Sequence, residues 1–189
     1  MTTDLGPAAA ATATVVAGIR DEQLTEPTPC EGTPVAGVLA HLAGLAYAFR
    51  MAGEKTPVDG QASADPGMLP ADWRTRIPAE LDALAAAWRD PAAHEGVTAA
   101  GGVEMPGRVA AVVALDEVVV HGWDLAVATG QPYDVDPADA DACRAFADSF
   151  GDERPPDLYG PRVPVPEDAP ALDRLLGATG RDPGWKPPV

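Results

Sequence analysis

The stretch Pro106–Thr129, PGRVAAVVALDEVVVHGWDLAVAT, decides the fold. Its centre is apolar on every side of a helical wheel, which is the pattern of a helix buried in a protein core. The β-branched run Val118–Val120 taken alone favours a strand. The helix is therefore predicted from the length of the segment and from Gly130 and Pro132, which are typical stop signals. An all-α protein built around one buried helix follows from this pattern.

Further helices are predicted on both sides of this segment. They are about Pro7–Arg20, Val35–Ala52, Ile77–Trp88 and Asp136–Phe150, with a short helix near Leu172–Leu176. Thr33 and Pro34 favour the N-cap and the first turn of the second helix. Residues 56–70 predict a loop, and the Pro-rich stretch Pro155–Val189 is expected to wrap the helices. We expect one domain over residues 1–189, a four-helix bundle with additional C-terminal helices and a Pro-rich tail.

The charge balance restricts the partners of the chain. It has 29 acidic and 13 basic side chains, a formal charge of −16 at pH 7. Such a surface repels phosphate backbones, so nucleic acid is not an expected partner. No unbroken apolar run has the roughly eighteen residues of a membrane span, and Ala8–Ile19 lacks the preceding basic residues of a secretory signal. A cytoplasmic protein without membrane contact is expected, and its two cysteines, Cys30 and Cys143, form no Cys-x-x-Cys pair.

A possible metal site is indicated by the histidines, of which there are three: His41, His94 and His121. Glu117 precedes His121 by four residues, so both side chains lie on one face of the helix. An acidic side chain in an apolar helix is costly unless it is paired or bound to metal. With His41 from another helix, the set matches the three protein ligands of a catalytic divalent-metal site. His94 lies in a polar loop and is given no role.

A second interpretation stays open on these residues alone. Glu117 and His121 could form a buried ion pair, with His41 as an unrelated core residue. Asp124 follows His121 by three residues and could orient its ring or cap neighbouring backbone. Cys30 is expected to be a structural thiol, with a thiol ligand as the alternative.

Several segments are similar to signatures of a known family. They are Pro27–Gly32 leading into Val38–Leu42, then Asp116–Ala126, and in the C-terminal part Gly160–Pro166 and Leu172–Pro183. They resemble the mycothiol-dependent maleylpyruvate isomerase metal-binding-domain family of the DinB-like superfamily, in particular its short, single-domain members. The similarity spans nearly the whole chain.

The resemblance implies a DinB-like four-helix core with a divalent metal, usually zinc, between helices. Matched motif to motif, His41 takes the place of the family's helix-two histidine ligand. Glu117 and His121 take the places of its Glu-x-x-x-His ligands. Thr33 and Pro34 stand where many relatives have Trp-Thr. The isomerase proper has a second, C-terminal domain that completes its active site, and from a length of 189 residues we expect this chain to lack that domain.

The function implied by the resemblance is a thiol-dependent transferase or isomerase. The metal would activate mycothiol, or another small-molecule thiol, for attack on an electrophilic substrate. The alternatives are a non-catalytic metal- or ligand-binding protein and a metal-dependent hydrolase with Asp116 or Asp124 as its base. No catalytic residue is assigned for the thiol-dependent reaction, and a homodimer is compatible with the sequence.

Overall fold

The computed structural model describes residues 3–151, 154 and 158–188, which form six α-helices and one short hairpin. The helices are α1 (Gly6–Gly18), α2 (Val35–Gly53), α3 (Trp73–Trp88), α4 (Gly107–Thr129), α5 (Pro137–Asp148) and α6 (Ala171–Ala178). The strands are β1 (Val97–Ala100) and β2 (Val103–Pro106). The predicted all-α class and every predicted helix are confirmed, with ends that differ by a few residues. Pro155–Asp157 and Val189 of the predicted tail lie outside the described residues.

The first four helices form the core around α4. α1 packs against α3 and α4, and α2 packs against the same two helices. Of the 23 residues of α4, 18 are buried, including the β-branched run Val118–Val120. Burial on all sides therefore outweighs the strand preference of this run. The arrangement is the four-helix core that the resemblance implied.

α1 reaches the centre of α4 at Gly122. Thr12 Oγ1 donates a hydrogen bond to the Val118 carbonyl over 3.1 Å and shares another with the Tyr133 hydroxyl at 2.9 Å. A Cβ atom on Gly122 would overlap both the Thr12 and the Tyr133 oxygens. The absence of a side chain at this position lets α1 approach α4 directly beside His121.

The hairpin is a feature that the sequence analysis missed. β1 and β2 pair antiparallel, with Ala100 opposite Val103. Gly101 and Gly102 connect them with φ of 59° and 80°, as a two-residue type I′ turn requires. The Gly-Gly pair between strand-compatible residues was the available signal.

Several predicted helix ends need correction; α1 ends at Gly18 rather than Arg20, and α3 begins at Trp73 rather than Ile77. The N-cap of α2 is Pro34 rather than Thr33, and no side chain caps the helix. α5 ends at Asp148 rather than Phe150, although its predicted start is confirmed by Asp136, whose carboxylate accepts a hydrogen bond from the Ala138 amide. Local propensity places helix ends only within a few residues.

α2 is long and apolar enough to cross a membrane by length and composition alone, with a mean hydropathy of 1.4. Core helices of globular proteins pass the same test. In this fold 12 of its residues are buried, and α2 packs between α3 and α4. Its apolar character is thus accounted for by packing inside the bundle.

The C-terminal part returns to the bundle through α6. α6 packs against α5, which packs against α4. Before α6, the Val163 amide donates to the Gly177 carbonyl over 3.0 Å, and after it Trp185 packs against the main core. The segment after α6 therefore lies close enough to α4 to contribute side chains there.

Candidate metal centre

The three predicted ligands lie together between α2 and α4. Glu117 Oε2 is 3.2 Å from His121 Nε2 and 3.7 Å from His41 Nε2. One nitrogen or oxygen from each residue lies within 4.8 Å of the others. His41 is therefore part of the same cluster as the Glu117–His121 pair and not a separate core residue.

The spacing and the donor types suit a divalent metal. Two ligand atoms held about 2.0–2.1 Å from one zinc ion at tetrahedral angles lie about 3.4 Å apart. The two distances to Glu117 Oε2 lie on either side of that value. Two imidazoles with one carboxylate are a known ligand set of catalytic zinc.

The cluster is only partly covered. The side chains of His41 and Glu117 are 27% and 20% exposed, whereas that of His121 is 11% exposed. Glu117 is thus less buried than the apolar sequence around it indicated, because it faces the gap between α2 and α4. All three donors therefore keep some exposure to solvent.

A backbone carbonyl orients His41. Its Nδ1 lies 3.2 Å from the carbonyl oxygen of Ala62, in the loop after α2. Since a carbonyl only accepts, Nδ1 carries the proton and Nε2 is left for the cluster. The loop comes this close because α2 has no side chain at Gly37, where a Cβ would lie 2.6 Å from the Ala64 carbonyl oxygen.

A buried carboxylate orients His121. Its Nδ1 lies 3.0 Å from Asp124 Oδ2, which confirms that Asp124 can direct the ring rather than cap backbone. Asp124 is fully buried, and its Oδ2 also accepts a hydrogen bond from Arg181 Nη2 over 3.2 Å. His121 Nε2 is thereby turned toward Glu117.

The charges of the cluster follow from these contacts. Burial alone would raise the pKa of Glu117, but the neighbouring His121 and His41 rings outweigh it and hold this pKa well below its usual range. Burial opposes the charged form of His121, yet its bonds to Asp124 and Glu117 raise its pKa to about 10. Burial is likewise outweighed at Asp124, whose pKa the Arg181 charge lowers. Without metal, His121 is therefore protonated at neutral pH.

A second buried carboxylate, Asp116, lies next to Glu117 in the chain. It is 3% exposed and accepts a hydrogen bond from the Tyr159 hydroxyl over 2.8 Å. Burial and the charge of Glu117 raise the pKa of Asp116 to about 7. Tyr159 therefore links Asp116, the residue before the candidate ligand Glu117, to the C-terminal segment.

A family model described as mycothiol maleylpyruvate isomerase N-terminal domain matches residues 5–126.

The chain belongs to this family.

Two uncharacterized proteins from two strains of Mycobacterium tuberculosis are each 31% identical to this member of the family, in an alignment of 183 positions that covers 89% of this chain and 91% of each relative. No solved structure gives a significant match. The family match contains all three candidate ligands as well as Asp124. It ends before Tyr159 and Arg181, so those two contacts come from the part of this family member beyond the matched domain.

The other residues singled out from the sequence lie outside the cluster. His94 Nε2 is 2.8 Å from the Trp88 carbonyl oxygen, next to the hairpin. Cys30 is half-buried and packs against the core, and Cys143 is fully buried. Within residues 3–151, 154 and 158–188, no other group of three His, Cys, Asp or Glu side chains has the spacing of a metal site.

Sequence reasoning missed three groups that support the site: the Ala62 carbonyl, Tyr159 and Arg181. Arg181 lies in a segment that resembled the family, but the resemblance did not indicate what this residue does. A backbone carbonyl leaves no signal in residue type. All three are brought to the site by contacts across long stretches of chain, which periodicity does not encode.

Proposed function

We propose that this protein binds one divalent metal ion, preferably zinc, through His41, Glu117 and His121, and that the metal serves a thiol-dependent transfer or isomerisation. The observation that carries this proposal is the convergence of three suitable donors from two helices on a partly open gap. Three protein ligands and one open position are the arrangement of a catalytic rather than a structural zinc site.

The chain's own residues prepare the site for a cation. His41 and His121 each engage Nδ1 elsewhere, so both present Nε2 to the cluster. Glu117 supplies a negative charge that partly offsets that of a divalent ion. Because each histidine is held by a second contact, little rotamer freedom is lost on binding.

The thiol part of the proposal is supported by the family and by the partial exposure of the three donors. A bound zinc ion would favour the thiolate form of a thiol at neutral pH. Mycothiol is the thiol in the family's description, and the second substrate would be a small electrophile. Such thiols are kept reduced in the cytoplasm, where we propose that the protein acts.

Hydrolysis is less well supported than thiol chemistry. A hydrolase needs a free base beside the metal-bound water. Asp124 is fully buried between His121 and Arg181, and Asp116 is bonded to Tyr159. Neither carboxylate faces the gap as an available base.

Cobalt substitution tests the proposal, because Co²⁺ accepts zinc ligands and reports them in its visible spectrum. The metal-free protein should bind one Co²⁺ per chain, and added mycothiol should produce a sulfur-to-cobalt charge-transfer band. His121→Ala should bind no stoichiometric cobalt. His94→Ala is the matched control and should behave as wild type.

The outcomes separate the two parts of the proposal. A wild-type protein that binds no divalent metal would contradict the metal site itself. If the spectrum of the cobalt-loaded protein did not change on addition of mycothiol, the metal site would stand but the thiol-dependent function would be contradicted. A non-catalytic metal-binding protein would then be favoured.

A further inference from the structure

Arg181 reaches from the C-terminal segment into the supports of the metal site. It lies three residues after α6, where its amide donates to the Leu176 carbonyl over 2.8 Å. Its Nη1 donates to the Thr179 carbonyl over 3.1 Å and its Nη2 to Asp124 Oδ2 over 3.2 Å. The side chain is 11% exposed, so both ends of the contact are almost removed from water.

The same carboxylate oxygen serves two donors. Asp124 Oδ2 accepts from Arg181 Nη2 and from His121 Nδ1. A fully buried carboxylate is costly without a compensating charge, and Arg181 supplies a permanent one. Removing it would leave this buried carboxylate without its charged partner, so Asp124 would no longer be held in place and His121 would lose the contact that fixes its ring.

We infer, on the basis of the metal site proposed above, that Arg181 is a positioning residue of the metal centre. It acts through Asp124 to keep His121 Nε2 directed at the other two donors. Metal affinity and the docking of the segment around Arg181 are therefore coupled. Because such coupling is reciprocal, metal binding strengthens the docking of this segment, and docking strengthens metal binding by the same factor.

Arg174 provides a matched control within the same segment. It lies on α6, and its Nη2 is 3.0 Å from Asp141 Oδ1 on α5, with a side chain 22% exposed. It therefore ties the C-terminal segment to the protein through an arginine–aspartate pair that does not involve α4. A change in zinc affinity on loss of Arg174 therefore measures the general effect of loosening the contact between α6 and α5.

The first experiment compares zinc affinity, by competition with a chelator, in wild type, Arg181→Met and Arg174→Met. Loss of a contact that supports a ligand typically weakens metal binding by about 10–100-fold, and we expect this for Arg181→Met. Arg174→Met should bind zinc as wild type does. Equal affinity in wild type and Arg181→Met would overturn the inference, as would an equal loss in both variants.

A mutant cycle with Asp124→Asn tests whether Arg181 acts through Asp124. Asn carries no charge, so this background also protects against unfolding from an uncompensated carboxylate. Arg181→Met should cost little further affinity once Asp124 is Asn. If Arg181→Met lowered zinc affinity as much in the Asp124→Asn background as in wild type, Arg181 would not act through Asp124. Arg181→Lys keeps the positive charge and should retain part of the zinc affinity that Arg181→Met loses.

The ring of His121 provides a readout that a purely structural role would not move. At saturating zinc, the ¹H and ¹⁵N chemical shifts of the His121 Nδ1–H group in wild type should show its hydrogen bond to Asp124. In folded Arg181→Met, this signature should weaken, and in Arg174→Met it should persist. Unchanged shifts in Arg181→Met would overturn the inference. Failure of wild type to bind zinc would instead overturn the proposed function.

Discussion

The two sides of the metal site are supported in different ways. On α2, His41 is 27% exposed and is oriented by one neutral contact, the carbonyl of Ala62 in a loop. On α4, His121 is 11% exposed and is oriented by Asp124, which Arg181 holds from beyond α6. Charged hydrogen bonds in a buried setting are stronger than neutral ones near solvent. We therefore expect α4 to present a preformed half-site and α2 to adjust to what binds.

Removal of a metal ligand from either α2 or α4 should have the largest effect on zinc binding. His121→Ala and His41→Ala should both purify without stoichiometric zinc, because two donors hold a catalytic-type ion poorly. His94→Ala should retain about one zinc per chain, measured by elemental analysis. If His41→Ala retained full metal while His121→Ala lost it, the ligand set would lie on α4 alone.

Removal of metal should lower thermal stability. A ligand at 1,000 times its Kd stabilises the folded state by about 4 kcal/mol, which corresponds to a Tm difference of roughly 10 °C for a protein of this size. We expect that drop when a chelator strips wild type at neutral pH. The His121→Ala protein should melt at the same temperature with and without chelator. An unchanged Tm in wild type after verified metal removal would mean that Glu117 is satisfied by the histidines alone, as in the ion-pair interpretation.

Zinc affinity should rise with pH because of the α4 side. The pKa of His121 is raised to about 10, so at pH 7 the metal-free ring is protonated and zinc must displace that proton. The proton competes less as pH rises toward this pKa, which gives about a tenfold gain in affinity per pH unit between pH 7 and 9. Calorimetry in buffers of different ionisation enthalpy should detect proton release, and binding without any release would contradict a protonated His121.

The α2 side should show the smallest effect. Gly37→Ala places a methyl group against the Ala64 carbonyl and should displace the loop that carries Ala62. Loss of a neutral hydrogen bond worth about 1 kcal/mol should weaken zinc binding about fivefold, measured by chelator competition. Asp124→Asn should weaken it by about 10–100-fold. If Gly37→Ala cost as much as Asp124→Asn, the two sides would be equally preformed.

The sequence predicted the helices and the donors because both depend on local pattern. α4 was recognisable from its apolar run and its stop signals, and Glu117 with His121 from their spacing on one helix face. His41 was proposed as the third donor without support from spacing, since spacing cannot relate residues on separate helices, and the family resemblance strengthened that assignment. Its position beside Glu117 depends on how α2 packs against α4.

The supports of the site were less accessible to sequence reasoning. Asp124 could be proposed as a partner of His121, with backbone capping as the alternative, because it lies within one turn of the same helix. Arg181 lies 57 residues further along the chain, and Ala62 contributes only a carbonyl that every residue type has. The short hairpin was missed because each strand has only four residues, too few to establish an alternating pattern.

Gly122 also constrains how this site can diversify during evolution. It follows His121 directly, and its missing side chain is where the Thr12 and Tyr133 oxygens lie. Any larger residue there has to displace α1 or Tyr133, and with them the helix turn that carries His121. Homologues with a side chain at this position should therefore show compensating changes to smaller residues at the positions of Thr12 or Tyr133. Residue covariation among these three positions should be detectable across the family.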